Sequence, residues 1–84
     1  MPNRNTTRYS DKFSDEQYSF RYVVLSAFVY ETLRIKGWRH KILQEDEWRN
    51  ELGLCMSPGW VHIGNLQQEA HVLIFRRDVN VTPT

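Results

Sequence analysis

Residues 17–25, QYSFRYVVL, decide the fold. Tyr18, Phe20, Tyr22 and Val24 fall on one side of an extended chain, and Ser19, Arg21 and Val23 on the other. That period of two is a strand signature, since successive side chains of a β-strand point to opposite faces. Before it, RYSDKFSDE ends in a Ser/Asp-rich turn, so residues 8–13 are expected to pair with it as a hairpin. After it, SAFVYETLRI places apolar or aromatic residues at 27, 28, 30 and 33, a helical spacing that Gly37 ends. EDEWRNEL reads as a second short helix, acidic in its first turn and stopped by Gly53. SPG then marks a turn, followed by two strands, WVHI and HVLIF, separated by GNLQQEA. The expected architecture is α+β, a four-stranded antiparallel sheet with a two-helix insert between strands 2 and 3.

The last of these strands ends abruptly. Val72 to Phe75 are four consecutive apolar residues able to bury on both faces of a sheet, and Arg76 and Arg77 follow directly. Alternation sends the two arginines to opposite faces. As plain surface charges they would close the strand and discourage edge pairing.

Composition limits what these elements can do. With 84 residues the chain is expected to form one domain, residues 8–77, between loose polar tails at 1–7 and 78–84. A formal net charge of +1, with both signs scattered, gives no broad basic stripe, so nucleic acid is not an expected partner. Cys55 is the single cysteine and cannot form an internal disulfide, and MPNRNTTRYS lacks the apolar core of a secretory signal. The expectation is an intracellular protein of the nucleus, the cytoplasm or both. No apolar run approaches the roughly 20 residues that cross a bilayer, so no membrane is expected either. The Asn-x-Thr matches at Asn5 and Asn80 carry little weight without a secretory route, and Thr82-Pro83 is a short proline-directed pattern. His62 and His71 beside Ser57, Asp11 or Asp15 show no nucleophile-elbow or zinc-binding spacing, and no motif activates Cys55. Neither catalysis, a metal nor a cofactor is expected.

Four blocks, RYSDKFSDEQYSFRYVVL, EWRNELG, SPGWVHI and AHVLIFRR, carry a resemblance. In order and spacing they are similar to the Cks family, small regulatory subunits of cyclin-dependent kinases. Family members show Y-S-D-K-Y, then F-E-Y-R-H-V, E-W-R-x-L-G, S-Q-G-W-V-H-Y and H-x-P-E-P-H-I-L-L-F-R-R. The resemblance implies an adaptor with one surface for a cyclin-dependent kinase and another for phosphothreonine-proline sites of phosphorylated substrates or regulators. It assigns the phosphate site to Lys12, Arg21, Ser57, Trp60 and Arg77. Those residue types suit the chemistry: a phosphothreonine brings close to two negative charges and three acceptor oxygens. Two guanidinium forks and an ammonium supply charge, while a hydroxyl and an indole N–H add neutral donors. Trp60 is expected to bury its ring and aim its N–H outward.

The implied kinase-docking residues are Phe13, Gly64, Gln67, Glu69 and His71, and here the sequence departs from the pattern. LQQEAH places Leu66, Gln68 and Ala70 where the family has a histidine and two prolines, Phe13 replaces a tyrosine, and Pro58 replaces a polar residue. In the family this segment is also the hinge by which the last strand exchanges between chains. Without its prolines, the expectation is a monomer, with a strand-swapped dimer disfavoured. Two alternatives remain beside the adaptor: a phosphoprotein-binding module that has lost its kinase, and, ranked last, a small nucleic-acid binder.

Overall fold

The computed structural model describes residues 6–78. Strands β1 (Arg8–Tyr9), β2 (Phe13–Ser14) and β3 (Tyr18–Val24) open the chain, followed by helix α1 (Ala27–Ile35) and a π-helical turn (Glu47–Glu51). Strands β4 (Val61–Leu66) and β5 (Glu69–Asp78) close it. The result is an α+β fold whose antiparallel sheet runs β1-β3-β5-β4, with β2 also on β3.

The sheet has five strands rather than four because the expected first strand is cut in two. Ser10 is the cut: its hydroxyl, rather than a ladder carbonyl, accepts the Tyr22 N–H at 2.8 Å. Ser10 keeps only its N–H bond to the Tyr22 carbonyl (2.9 Å), residues 11–12 leave the ladder, and it resumes at Phe13 opposite Phe20. The turn into β3 is built by Asp15, whose Oδ1 accepts the N–H groups of Tyr18 (2.7 Å) and Gln17 (2.8 Å). Those bonds, Tyr18 first, hold its carboxyl below its usual range.

The insert also differs from the expected pair of helices. Ser26 caps α1 by accepting the Val29 N–H, and Gly37 follows its end in a left-handed conformation (φ +75°). The inward stripe is Val29, Tyr30 and Leu33, whereas Phe28 is 79% exposed. The second element is a wide turn in which the Leu52 N–H reaches back five residues to the Glu47 carbonyl. It delivers Trp48 into the core, edge-on to Phe75 with centroids 5.2 Å apart. The insert covers one face of the sheet, where Val23, Leu73 and Phe75 pack with Leu33, Leu43, Trp48 and Leu54. On the other face lie Phe13, Phe20, Tyr22, Ile74 and Val61, with Phe13 and Val61 about half exposed.

β4 and β5 run longer than expected and absorb most of GNLQQEA. Leu66 pairs with Glu69, leaving Gln67-Gln68 as a two-residue turn, and the register shifts at residues 62–64 and 65–66. The hinge segment is thus a closed hairpin within one chain. Asp78 is still in β5, one residue past the expected domain edge, and the tail residues 1–5 and 79–84, with Asn80 and Thr82-Pro83, lie outside the described residues.

Candidate functional site

A row of side chains crosses the sheet where β5 ends. Ser14 pairs with Ser19, Ser19 pairs with Arg77, and Trp60 precedes Val61, the partner of Arg76. Alternation turns Arg77 to the insert side with Arg21, while Arg76 goes to the outer face, its guanidinium 4.4 Å from the Tyr18 ring centroid. A cleft of about 170 Å³ opens beside this row, lined by Lys12, Ser19, Trp60 and Arg77. None of the four is acidic.

The two arginines are held from several sides. Arg77 donates from Nη1 to Ser57 Oγ at 3.2 Å, and its guanidinium sits 5.9 Å from the Trp60 ring centroid. Its stem runs along Gly59, where a Cβ would lie 3.5 Å from Arg77 Cγ and Cδ. The φ of +99° at Gly59 also favours glycine, so the SPG turn brings backbone close to this arginine. Arg21 lies between two rings, 5.4 Å from the Trp60 centroid and 5.5 Å from that of Tyr9, and donates from Nη2 to the Ser10 carbonyl. Tyr9 is itself fixed, because its hydroxyl accepts the Cys55 N–H at 2.9 Å. The break at Ser10 therefore serves the site twice: it anchors Arg21 and releases Lys12 from the ladder to line the cleft.

Trp60 differs from the sequence expectation. Its ring is 3% exposed, and the indole N–H is also out of solvent, without an acceptor among the described residues. Arg21 Nε is in the same condition. A buried donor left unpaired costs about 1–3 kcal/mol. The indole N–H, two guanidiniums, one of them carrying the unpaired Arg21 Nε, and an ammonium form a set suited to an acceptor-rich anion. Of the five expected residues, Lys12, Trp60 and Arg77 line the cleft, Arg21 flanks Trp60, and Ser57 holds Arg77. Ser19 was missing from the set; period two places it with Arg21, but only the β3–β5 register puts it opposite Arg77.

The docking residues are more dispersed. Phe13 and Gly64 sit on the outer face, Phe13 against Phe20 (6.0 Å) and Tyr22 (5.5 Å), and Gly64 opposite Ile74. Gln67 and Glu69 are exposed at the hairpin tip. His71 faces the insert side, with its ring 6.2 Å from that of Tyr30. The hairpin end also borders the larger groove of about 520 Å³, walled by residues 39–42 on one side and by Gly64, Asn65, Leu66, Gln67 and Ala70 on the other.

His62 has no free nitrogen for chemistry. Nδ1 accepts the Leu43 N–H at 2.8 Å, and Nε2 donates to Asn65 Oδ1 at 2.7 Å, which fixes the neutral tautomer. Burial holds its pKa below the ordinary imidazole value. Cys55 is exposed and unpaired, and the described residues contain no cluster of His, Cys, Asp and Glu able to hold a metal ion.

The geometry defines a small α+β module with a focused cationic cleft at a sheet end. Residues 7–79 match the family model described as cyclin-dependent kinase regulatory subunit. The chain is 39% identical over 79 residues to a probable cyclin-dependent kinases regulatory subunit of Physarum polycephalum, covering 94% of this chain and 87% of that one. It is 40% identical over 73 residues to cyclin-dependent kinases regulatory subunit 2 of Arabidopsis thaliana, covering 87% and 82%. The corresponding Drosophila melanogaster subunit is 41% identical over 69 residues, covering 82% and 86%. This chain belongs to the cyclin-dependent kinase regulatory subunit family, whose members are non-catalytic adaptors of the cell cycle.

Proposed function

We propose that this chain binds a cyclin-dependent kinase and, through its cationic cleft, holds phosphothreonine-proline sites of the kinase's substrates or regulators inside the cell. The observation that carries the phosphate arm is the convergence of Lys12, Trp60 and Arg77 on one cleft, with Arg21 beside it and no carboxylate in its lining. Tethering a phosphorylated chain next to a kinase raises the effective concentration of its remaining sites, so successive phosphorylations proceed together. The kinase arm uses the outer face and the hairpin tip, through Phe13, Gly64, Gln67 and Glu69, with His71 supporting the same end from the insert side. An exposed apolar face ringed by polar groups is the usual form of a protein-docking surface. The closed hairpin favours a monomer as the working form.

Calorimetric titration of the protein into a cyclin-dependent kinase tests the kinase arm. Binding at micromolar affinity or tighter is expected. An absence of heat, with no complex on a sizing column, removes the kinase arm and leaves a phosphate reader that has lost its kinase.

A further inference from the structure

We infer that Ser19 is a sixth phosphate-binding residue of the cleft, donating its hydroxyl to a phosphoryl oxygen, and that Ser14 is the positioning residue behind it. The inference rests on the phosphate reading above and concerns the same site.

Ser19 lines the cleft with Lys12, Trp60 and Arg77, and stands directly across the β3–β5 ladder from Arg77. Its Oγ lies 2.8 Å from Ser14 Oγ, its cross-strand neighbour on the other side. A hydroxyl has one proton to donate and two lone pairs to accept with. One proton is enough for the Ser14–Ser19 bond, so the pair holds a second proton that this bond does not use. With an anion in the cleft the polarity is set: Ser14 donates to Ser19, and Ser19 donates to the anion, each bond polarising the next. In the opposite polarity Ser19 would spend its proton on Ser14 and turn lone pairs toward the ligand.

The position also matters for shape. Arg77, Trp60 and Lys12 approach from β5, from the residue before β4, and from the gap between β1 and β2, whereas Ser19 supplies a donor from β3. A tetrahedral phosphoryl group offers three oxygens in different directions, while a carboxylate offers two in one plane. A donor on this wall favours a phosphorylated side chain over a glutamate in its place.

The test uses the full chain and a phosphothreonine-proline peptide, titrated by calorimetry. Ser19→Val and Ser19→Thr are nearly isosteric, and both suit a strand. Ser19→Val is expected to weaken binding about tenfold, the lower range for a hydrogen bond to a charged group, with Ser19→Thr within about twofold of the native chain. Ser14→Ala is expected to cost about twofold in the native background and nothing in the Ser19→Val background, because Ser14 acts only through Ser19. Equal affinities for the Val and Thr variants and the native chain, with binding still lost on Arg77→Glu, would overturn the role of Ser19 and leave the cleft assigned. If the native chain does not bind the peptide, the phosphate reading fails and this inference fails with it.

Discussion

The two ends of the sheet are built on different principles. Where β5 ends, the two arginines are each fixed by several contacts: Arg77 by Ser57, Trp60 and Gly59, and Arg21 by Tyr9, Trp60 and Ser10. Where β4 turns into β5, the tip is two glutamines, held by the Leu66–Glu69 pair and by Asn65, whose side-chain N–H groups reach the carbonyls of Ala70 and Arg39. The family pattern survives at the first end and is rewritten at the second. A site that reads one phosphoryl group must place its donors to within a fraction of an ångström. A docking surface spreads its energy over many contacts and tolerates replacement of most of them.

The sharpest way to break this contrast is charge reversal at the fixed end. Arg77→Glu puts a carboxylate among the donors of the proposed phosphate site, and is expected to cost phosphopeptide binding about 3 kcal/mol or more, beyond a hundredfold. The fold should remain, because Arg77 is joined to Ser57 and to the Trp60 face rather than to a buried carboxylate. Kinase affinity, measured in the same calorimeter, is expected to stay within twofold. A parallel loss would show that the two ends are one surface.

The outer face should respond in the opposite pattern, although Phe13 itself lies near the cleft end, opposite Phe20, whose β5 partner is Arg76. Phe13 is half exposed and carries ring contacts to Phe20 and Tyr22. Phe13→Ala is expected to weaken kinase binding by about 2 kcal/mol, in the range of an aromatic anchor, and leave phosphopeptide affinity unchanged. Its melting midpoint should fall by a few degrees, since the ring pairs contribute on the order of 1 kcal/mol.

How much of each end could be read in the sequence follows from how local its geometry is. Period two assigned Arg21 and Ser19 to one side of their strand and separated Arg76 from Arg77, because alternation needs only neighbouring residues. The break at Ser10 was illegible, since it arises where a hydroxyl replaces a ladder acceptor twelve residues away. The spacing at 27, 28, 30 and 33 gave the helix but not its inward face, which takes Val29 and leaves Phe28 exposed, because the helix is apolar on more than one side. Ser19 in the cleft depends on strand order and register, and His62 on a loop nineteen residues distant. Neither leaves a trace in local spacing.

His62 sits near the start of β4, opposite Phe75, and ties that strand to the loop at Leu43 and to Asn65 through an acid-sensitive contact. Burial keeps the imidazole neutral in the folded chain, with its pKa below the ordinary 6.5. The unfolded chain therefore binds a proton that the folded chain refuses, so stability is full above about pH 6.5 and declines as pH falls through the folded value. Protonating Nδ1 would also set a donor against the Leu43 N–H, at a cost of about 1–3 kcal/mol. Asp15 and Glu47, held down by Tyr18 and Gln44 N–H groups, titrate below this window. Urea unfolding at pH 7.5 and 5.5 is expected to show a drop for the native chain and a flatter response for His62→Gln, whose amide can accept from Leu43 and donate to Asn65. Equal drops would clear His62 of this role.

The smallest expected effect concerns the missing prolines. In the turn Leu66-Gln67-Gln68-Glu69, neither central residue has a positive φ, so the turn lacks the mirror-image geometry that best suits a two-residue hairpin. The ladder behind it is irregular, with register shifts at 62–64 and 65–66. Gln68 is the third residue of this turn, and proline there pushes the preceding residue out of the right-handed helical region that such a turn requires. Gln68→Pro is therefore expected to destabilise the closed hairpin by about 1 kcal/mol and favour an extended link, through which β5 can leave its own chain and complete another's sheet. Light scattering at micromolar protein should detect a dimer in the variant and a monomer in the native chain. A native dimer of equal abundance would mean that the glutamine turn opens as readily as a proline hinge, and that the two ends of the sheet differ in sequence without differing in rigidity.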